Sequence, residues 1–261
     1  MNPPTIDDFL GILFGFALIA SGLACVGYGL IVSRRSSTLA SVPLVGTREL
    51  VGGELAVVTG TAASAHEASA PASGKPCLFY EHIRERLRVR VRGGDNINTR
   101  YWDEVERTHW GAFYVEDAGG RALVVPRGAR LESLAHEEKR QSGSGFADGD
   151  ERSFERRIDA GDAVCVLGRA HTLHELVAAL RARPEMSALP SGLVEEIMAA
   201  AADDRAARCF FEDGADFVVS GKGYAELRTG LESASGFWLS TGAGLAGLSA
   251  LVFLAWFFGL I

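Results

Sequence analysis

Two uncharged apolar segments, one near each end of the chain, constrain the fold more than any other feature. Phe9 to Val32 and Gly236 to Ile261 contain no Asp, Glu, Lys, Arg or His. As α-helices, each would rise at least about 36 Å, which exceeds the roughly 30 Å hydrocarbon core of a bilayer. The pattern predicts two transmembrane helices, at residues 9–32 and 236–261, that flank one polar region at residues 33–235.

The basic residues beside the two segments predict the orientation of the chain. Arg34 and Arg35 follow the first segment, and Lys222 and Arg228 precede the second. The short tails outside the segments carry no Lys or Arg. Because basic residues favour the cytoplasmic side, we expect a multi-pass protein of the cell membrane with both termini outside and the polar region in the cytoplasm.

Small residues recur at helical spacing in both apolar segments. They allow helices to approach closely in lipid, although glycine is also simply common in membrane helices. We favour an antiparallel helix pair, with the lipid bilayer and other membrane proteins as partners. The stripes are Gly11, Gly15, Gly22 and Gly29 in the first segment and Ser240, Gly244 and Gly247 in the second.

The bulk composition excludes several classes of function. A net charge of −7 argues against a nucleic-acid partner, because phosphate binding needs a basic surface. The four cysteines, Cys25, Cys77, Cys165 and Cys209, lie far apart in the sequence, so no zinc knuckle or CxxC pair is present. We therefore expect no cofactor.

The polar region reads as a β-rich domain with one helical insertion. Three antiparallel strands are predicted as a meander over residues 77–91, 101–116 and 121–126, joined by GGDN and GG turns. Residues 171–208 switch to a helical pattern, after which strands resume. The fold class is therefore two transmembrane α-helices flanking an antiparallel α+β domain. We expect loops at residues 62–76 and 132–153.

An arginine ladder is the most distinctive pattern in this domain. Arginine occupies every second position of one predicted strand, so the side chains share one face. The ladder could be a solvated face with cross-strand ion pairs to Asp103, Glu104 and Glu106, or a patch that binds anionic lipid headgroups or an acidic partner. Its members are Arg84, Arg86, Arg88, Arg90 and Arg92.

The sequence contains no catalytic constellation. His171, His174 and Glu175 could face one way at a helix start, but no further clustered ligands accompany them, so we expect no metal site. GxSxG, HExxH, P-loop and dinucleotide-binding motifs are absent.

The order of several short blocks resembles the GIDE, or beside-a-membrane (BAM), domain family, known from the mitochondrial ubiquitin ligase activator MULAN. The similarity spans about residues 45–230 and both apolar segments. The blocks are Gly74 to Arg86, Trp102, Ala112 to Leu131, Asp159 to Ala170 and Phe210 to Leu227. The resemblance implies a β-rich domain between two membrane helices and close to the bilayer.

The resemblance suggests E3 ubiquitin ligase activity, but in the mitochondrial relatives the RING finger follows the second helix. Here the sequence has no residues after that segment to form a RING. We therefore expect a non-catalytic interaction, scaffold or sensor module beside the membrane. The alternative is an enzyme, or an enzyme subunit, of a membrane-associated ubiquitin-ligase-like or hydrolase system.

Overall fold

The chain divides into a helical unit and a β-rich unit. A computed structural model describes residues 6–64, 66–91, 98–141, 149–182, 189–203, 208–214 and 216–257. The segments up to residue 41 and from residue 225 form the helical unit, and residues 42–224 form the β-rich unit. Two apolar helices therefore flank a sheet-rich domain, as the sequence predicts.

Four helices and thirteen strands are present in the described residues. The helices are α1 (Ile6–Ser41), α2 (Leu173–Ala182), α3 (Ser191–Asp203) and α4 (Tyr224–Phe257), with a short 3-10 turn at Thr47–Glu49. The strands are β1 (Leu55–Ala63), β2 (Ala68–Ser69), β3 (Pro76–Cys77), β4 (Phe79–Val91), β5 (Asn98–Gly111), β6 (Phe113–Asp117), β7 (Gly120–Val124), β8 (Arg130–Glu132), β9 (Ala135–Gln141), β10 (Glu151–Ile158), β11 (Ala163–Thr172), β12 (Arg208–Phe210) and β13 (Val218–Ser220).

In the helical unit, α1 and α4 pack through small residues. A Cβ atom added at Gly22 would lie 3.1 Å from the carbonyl oxygen of Gly242. The Ser249 hydroxyl donates a 3.0 Å hydrogen bond to the carbonyl oxygen of Gly15. Only residues without bulky side chains permit this approach of two backbones. Each helix is long and apolar enough to cross a membrane.

A closed five-stranded barrel forms the centre of the β-rich unit. The pairs β1–β6, β6–β7, β7–β12, β12–β11 and β11–β1 close the ring, and only β7–β12 is parallel among these five. The order of these five strands is similar to that of the Greek-key barrel of OB folds, and β13 and β8 extend the same sheet beside β11. Gly60 lies beside the point at which β1 ends its pairing with β11 and begins its pairing with β6. A Cβ atom at this position would lie 2.2 Å from the Glu116 carbonyl oxygen. Alternating buried residues such as Phe113, Val115 and Val124 fill the interior.

A second, four-stranded antiparallel sheet is built from two insertions into the barrel. Its order is β5-β4-β10-β9. In the sequence, the paired strands β4 and β5 lie between β1 and β6, and strands β9 and β10 lie between β7 and β11. Gly111 adopts φ +92°, and a Cβ there would lie 2.2 Å from the Leu78 carbonyl oxygen. Glycine therefore allows the chain to leave this sheet and enter the barrel within one residue.

The helical insertion covers the outer face of β6 and β7. Leu176, Leu193 and Ile197 are fully buried against a cluster that includes Leu123 and Val125. In OB barrels, the outer face of the second and third strands is where oligonucleotides and oligosaccharides bind. Here the chain's own helices occupy that face.

The structure corrects two sequence predictions. The single predicted meander is divided between two sheets, because the return strand breaks at Ala112 into β5 and β6, and β7 pairs with β6 in the barrel. Neither predicted loop is wholly a loop: residues 132–153 contain β9 and the start of β10, and residues 62–76 contain β2. The charged residues of β9 and β10 suit a sheet with solvated faces, so composition alone suggests a loop. Residues 142–148 lie outside the described part of the chain.

Candidate functional site

The arginine ladder lies on β4, in the middle of the four-stranded sheet. Strand alternation places Arg84, Arg86, Arg88 and Arg90 on one face. Arg92 lies outside the described residues. Although both sequence interpretations assume one uniform ladder, the structure divides it into two halves with different surroundings.

The inner half of the ladder is held in ion pairs. Arg86 donates two hydrogen bonds to Glu151, at 3.0 Å from Nε and 2.5 Å from Nη2. Arg84 bridges Glu151 at 3.2 Å and Glu106 at 2.6 Å. The hydrogen bonds from Arg86 and then Arg84 lower the pKa of the Glu151 carboxyl. These arginines fit the interpretation of a solvated, ion-paired face.

Glu151 was missed as a partner because it lies in the region predicted to be a loop. It is the first residue of β10 and lies directly opposite Arg86. Glu104, which the sequence suggested as a partner, instead binds Arg107 at 2.6 Å. A register shift beside Arg84 explains this difference, because it turns Glu104 toward the other face of the sheet.

The outer half of the ladder extends beyond the third strand. Residues 88–91 pair with residues 98–101 of β5, and no other described strand pairs with them. We call these eight residues the ribbon. Arg88 approaches Asp103 only to 3.8 Å, and Arg90 and Arg100 are exposed and form no ion pair with any described residue. Tyr101, opposite Arg88, is 47% exposed.

The opposite face of the sheet buries a carboxylate that the sequence interpretation overlooked. Glu81 is 4% exposed and lies 2.9 Å from Arg107, 3.2 Å from His109 and 3.3 Å from Arg156. Burial acts to raise the pKa of Glu81, but the bond to His109 and the two guanidiniums outweigh it and lower the pKa. In the sequence, Glu81 alternates with the apolar residues Ile83 and Leu87. This alternation was the signal that could have placed its carboxylate on the buried face.

A second buried carboxylate, Glu155, holds the loop that precedes β3. Its Oε2 accepts hydrogen bonds from the backbone N–H groups of Ala72 and Ser73, at 2.6 and 3.2 Å. Its Oε1 accepts a 2.5 Å bond from the Ser73 hydroxyl. Burial acts to raise the pKa of Glu155, but these donors outweigh that effect and lower it. The carboxylate is therefore fixed in a structural role.

A small cavity opens on the ladder face beside this loop. Its volume is about 120 Å³, and its walls include His82, Arg84, Lys139 and Ser153. Burial lowers the pKa of His82, and the nearby Arg84 contributes in the same direction. The cavity is much smaller than the roughly 300–1,000 Å³ pockets that take drug-sized ligands.

The histidines considered for metal binding do not converge. His171 is buried with its Nε2 3.2 Å from Asp213, whereas His174 is exposed. Glu175 accepts a 2.7 Å bond from the backbone N–H of Thr172 and so caps α2. In the described part of the chain, no group of three or more His, Cys, Asp or Glu side chains could hold a metal ion.

The three cysteines of the β-rich unit are buried thiols. Burial raises the pKa of Cys77 to about 11 and that of Cys165 to about 12. Burial likewise raises the pKa of Cys209, whose Sγ lies 3.4 Å from the carbonyl oxygen of Thr172. Because the thiolate is the nucleophile, thiols held protonated in this way are chemically inert near neutral pH.

Comparison with known proteins assigns no family to this geometry. No protein-family model matches the chain, and no curated protein or solved structure matches it either. The function is therefore inferred from the contacts and charges of the chain's own residues.

Proposed function

We propose that this chain is a two-pass membrane protein whose β-rich domain is a non-catalytic interaction module. The ribbon docks on an acidic surface of a partner protein, and the two terminal helices hold the domain at the bilayer. The domain lies in the cytoplasm, with both termini outside. The proposal keeps the relation to the GIDE family that the sequence blocks suggest.

The surface of the helical unit supports membrane insertion. Small residues form the contact between α1 and α4, while large apolar side chains point outward. Leu23 is 68% exposed, Phe16 60% and Leu251 65%. An apolar surface of this kind is unfavourable in water and suits lipid tails.

The docking proposal rests on one observation: the arginine charges of the ladder are paired with carboxylates in its inner half but not in the ribbon. Arg84 and Arg86 share Glu151 and Glu106, so their charges are matched locally. In the ribbon, Arg88 has only a distant carboxylate, and Arg90 has none among the described residues. Exposed arginine and tyrosine are the residue types that most often carry binding energy at protein interfaces.

Buried ionisable groups also favour binding over catalysis. Glu81 and Glu155 are surrounded by guanidinium, imidazole, hydroxyl or backbone groups that lower their pKa. Among the described residues, Glu81 Oε2 lies 3.3 Å from Arg156 but accepts no hydrogen bond. A general acid near neutral pH would need its pKa raised instead. These two carboxylates are therefore suited to holding the sheet together.

The proposal is tested by charge reversal of the ribbon in the full chain, held in phosphatidylcholine nanodiscs. A polyglutamate peptide and vesicles with about 30% phosphatidylserine serve as the two probes. We expect R88E/R90E to weaken peptide binding at least tenfold at low salt, because both cations are lost. The control R48E/R127E makes the same change in net charge elsewhere and should change the affinity less than twofold.

Equal peptide binding by R88E/R90E and the wild type would overturn docking through the ribbon. Strong binding to the vesicles but not to the peptide would also contradict it, since the ladder would then act as a lipid-binding patch.

A further inference from the structure

The small cavity on the ladder face has an ordered arrangement of hydrogen-bond donors. Ser153 on β10 lies directly opposite Arg84 on β4 and opposite Lys139 on β9. Neighbouring strands lie about 4.8 Å apart, so two long cationic side chains flank one short hydroxyl across roughly 10 Å. The short serine leaves the space between these side chains. Lys139 supplies positive charge, and Arg84 contributes a guanidinium that also pairs with Glu151 and Glu106.

The polar groups of this cavity are mainly donors. The Lys139 ammonium is exposed and forms no ion pair with a described residue. The Ser153 hydroxyl reaches the carbonyl oxygen of Lys139 only at 3.5 Å, a length at which a hydrogen bond is weak. Among the described residues of the wall, Glu151 is the one carboxylate, and Arg84 and Arg86 already bind it.

We infer that this cavity binds a phosphate monoester group. A guanidinium, an ammonium and a hydroxyl together match the three acceptor oxygens of such a group. The volume of about 120 Å³ suits one small anion rather than a drug-sized ligand. The ligand is either a free phosphate compound or the headgroup of a lipid such as phosphatidic acid.

His82 lies two residues before Arg84 and completes the wall, so it can become a fourth donor when protonated. Glu155 and Glu106 favour its charged form, whereas burial and Arg84 oppose it. A bound dianion would favour the imidazolium, because opposite charges stabilise each other. Binding should therefore strengthen as the pH falls and His82 takes up a proton.

The site is independent of the docking proposed for the ribbon, because the two use different side chains. The first experiment is a calorimetric titration of the full chain with inorganic phosphate in phosphatidylcholine nanodiscs. Nanodiscs containing phosphatidic acid form the second arm. If the headgroup of phosphatidic acid occupies the site, added phosphate should bind more weakly in the second arm than in the first. If the site takes only free phosphate compounds, phosphate should bind equally in both arms.

Six variants define the expected result. K139M and S153A should each weaken phosphate binding at least fivefold, while K139R and S153T should retain most of it. E106Q removes an anion that competes for Arg84, so it should tighten binding at least twofold. R48Q, at an exposed position outside the cavity, is the matched control and should bind like the wild type.

Sulfate separates the contribution of His82 from the titration of phosphate itself, because sulfate stays dianionic between pH 5.5 and 8. We expect sulfate to bind more tightly at about pH 5.5 than at pH 8, and H82Q to lose this dependence. The inference is overturned if no saturable anion binding is found. Equal losses for R48Q and K139M would likewise contradict it, since they would indicate non-specific attraction to surface arginine and lysine.

Discussion

The phenol of Tyr114 donates a 2.8 Å hydrogen bond to Glu196, and this bond connects the barrel to the helical insertion. Arg121 lies 4.3 Å above the Tyr114 ring, and His66 approaches the other oxygen of Glu196 to 3.5 Å. Burial, and then the bond to Glu196, raise the pKa of Tyr114. The helices that cover the outer face of β6 and β7 are therefore held by a polar contact as well as by an apolar cluster.

Replacing Tyr114 with Phe should loosen α3 without disturbing the barrel. The lost hydrogen bond costs about 1 kcal/mol, which corresponds to roughly fivefold faster opening. Amide hydrogen exchange of the full chain should show this acceleration in α3 and little change in β1 and β11. Glu195→Gln is the matched control on the exposed face of the helix. Unchanged exchange in α3 of Tyr114→Phe would show that the bond does not hold the insertion.

Replacing Glu155 with Gln should destabilise the β-rich unit by about 2 kcal/mol at pH 7, because a buried charged acceptor is lost. The folded pKa of Glu155 is lowered, so its stabilisation is present above the ordinary carboxyl pKa of about 4.3 and is lost as the pH falls below it. Urea unfolding at pH 7 and pH 3.5 measures both effects.

The difference in stability between wild type and Glu155→Gln should therefore shrink at the lower pH. Glu67→Gln, at an exposed position, controls for the general loss of an acid. A difference that stays constant with pH would mean that Glu155 is not ionised in the folded protein.

Replacing Gly22 with Leu should destabilise the contact between α1 and α4. The position has no room for a side chain, because Gly242 and Ala246 backbone atoms lie 3.1 and 3.3 Å from an added Cβ. Overpacking of this kind costs about 1–3 kcal/mol. Thermal unfolding in detergent should show a lower midpoint for Gly22→Leu. Gly27→Leu, where nothing lies within 4 Å, should match the wild type, and equal losses for both would contradict the packing.

The sequence predicts those elements whose signal is local. The terminal helices follow from two uninterrupted apolar segments, and α2 and α3 follow from helical periodicity. Alternation correctly indicates a strand through the ladder, because the alternation of side chains between two faces depends on one strand alone. The ladder's division into halves depends on β10, which is distant in the sequence.

Pairing between distant segments explains the predictions that failed. Arg86 and Glu151 are 65 residues apart, and no local pattern identifies Glu151 as the partner. Barrel closure through β1 and β11 is equally non-local. Glu81 and Glu155 sit at alternating strand positions, but only the packed structure shows which donors surround them. Sequence can therefore indicate a face, but not what covers it.

The proposed orientation predicts the pattern of thiol labelling in intact cells. Cys77 is unsuitable for this purpose, because it is 1% exposed and its pKa is raised to about 11. Glu67→Cys introduces a thiol at an exposed position of the β-rich unit. A membrane-impermeant maleimide should label it only after the cells are permeabilised. Labelling in intact cells would place the domain outside.

Photo-crosslinking at Tyr101 in native membranes tests the proposed function most directly. A photoreactive amino acid at this ribbon position should give a discrete crosslink to another protein, which mass spectrometry identifies by an acidic contact segment. Adding R88E/R90E should abolish the crosslink, and R48E/R127E should preserve it. Crosslinks to lipid alone, or a protein crosslink that persists in R88E/R90E, would contradict docking through the ribbon.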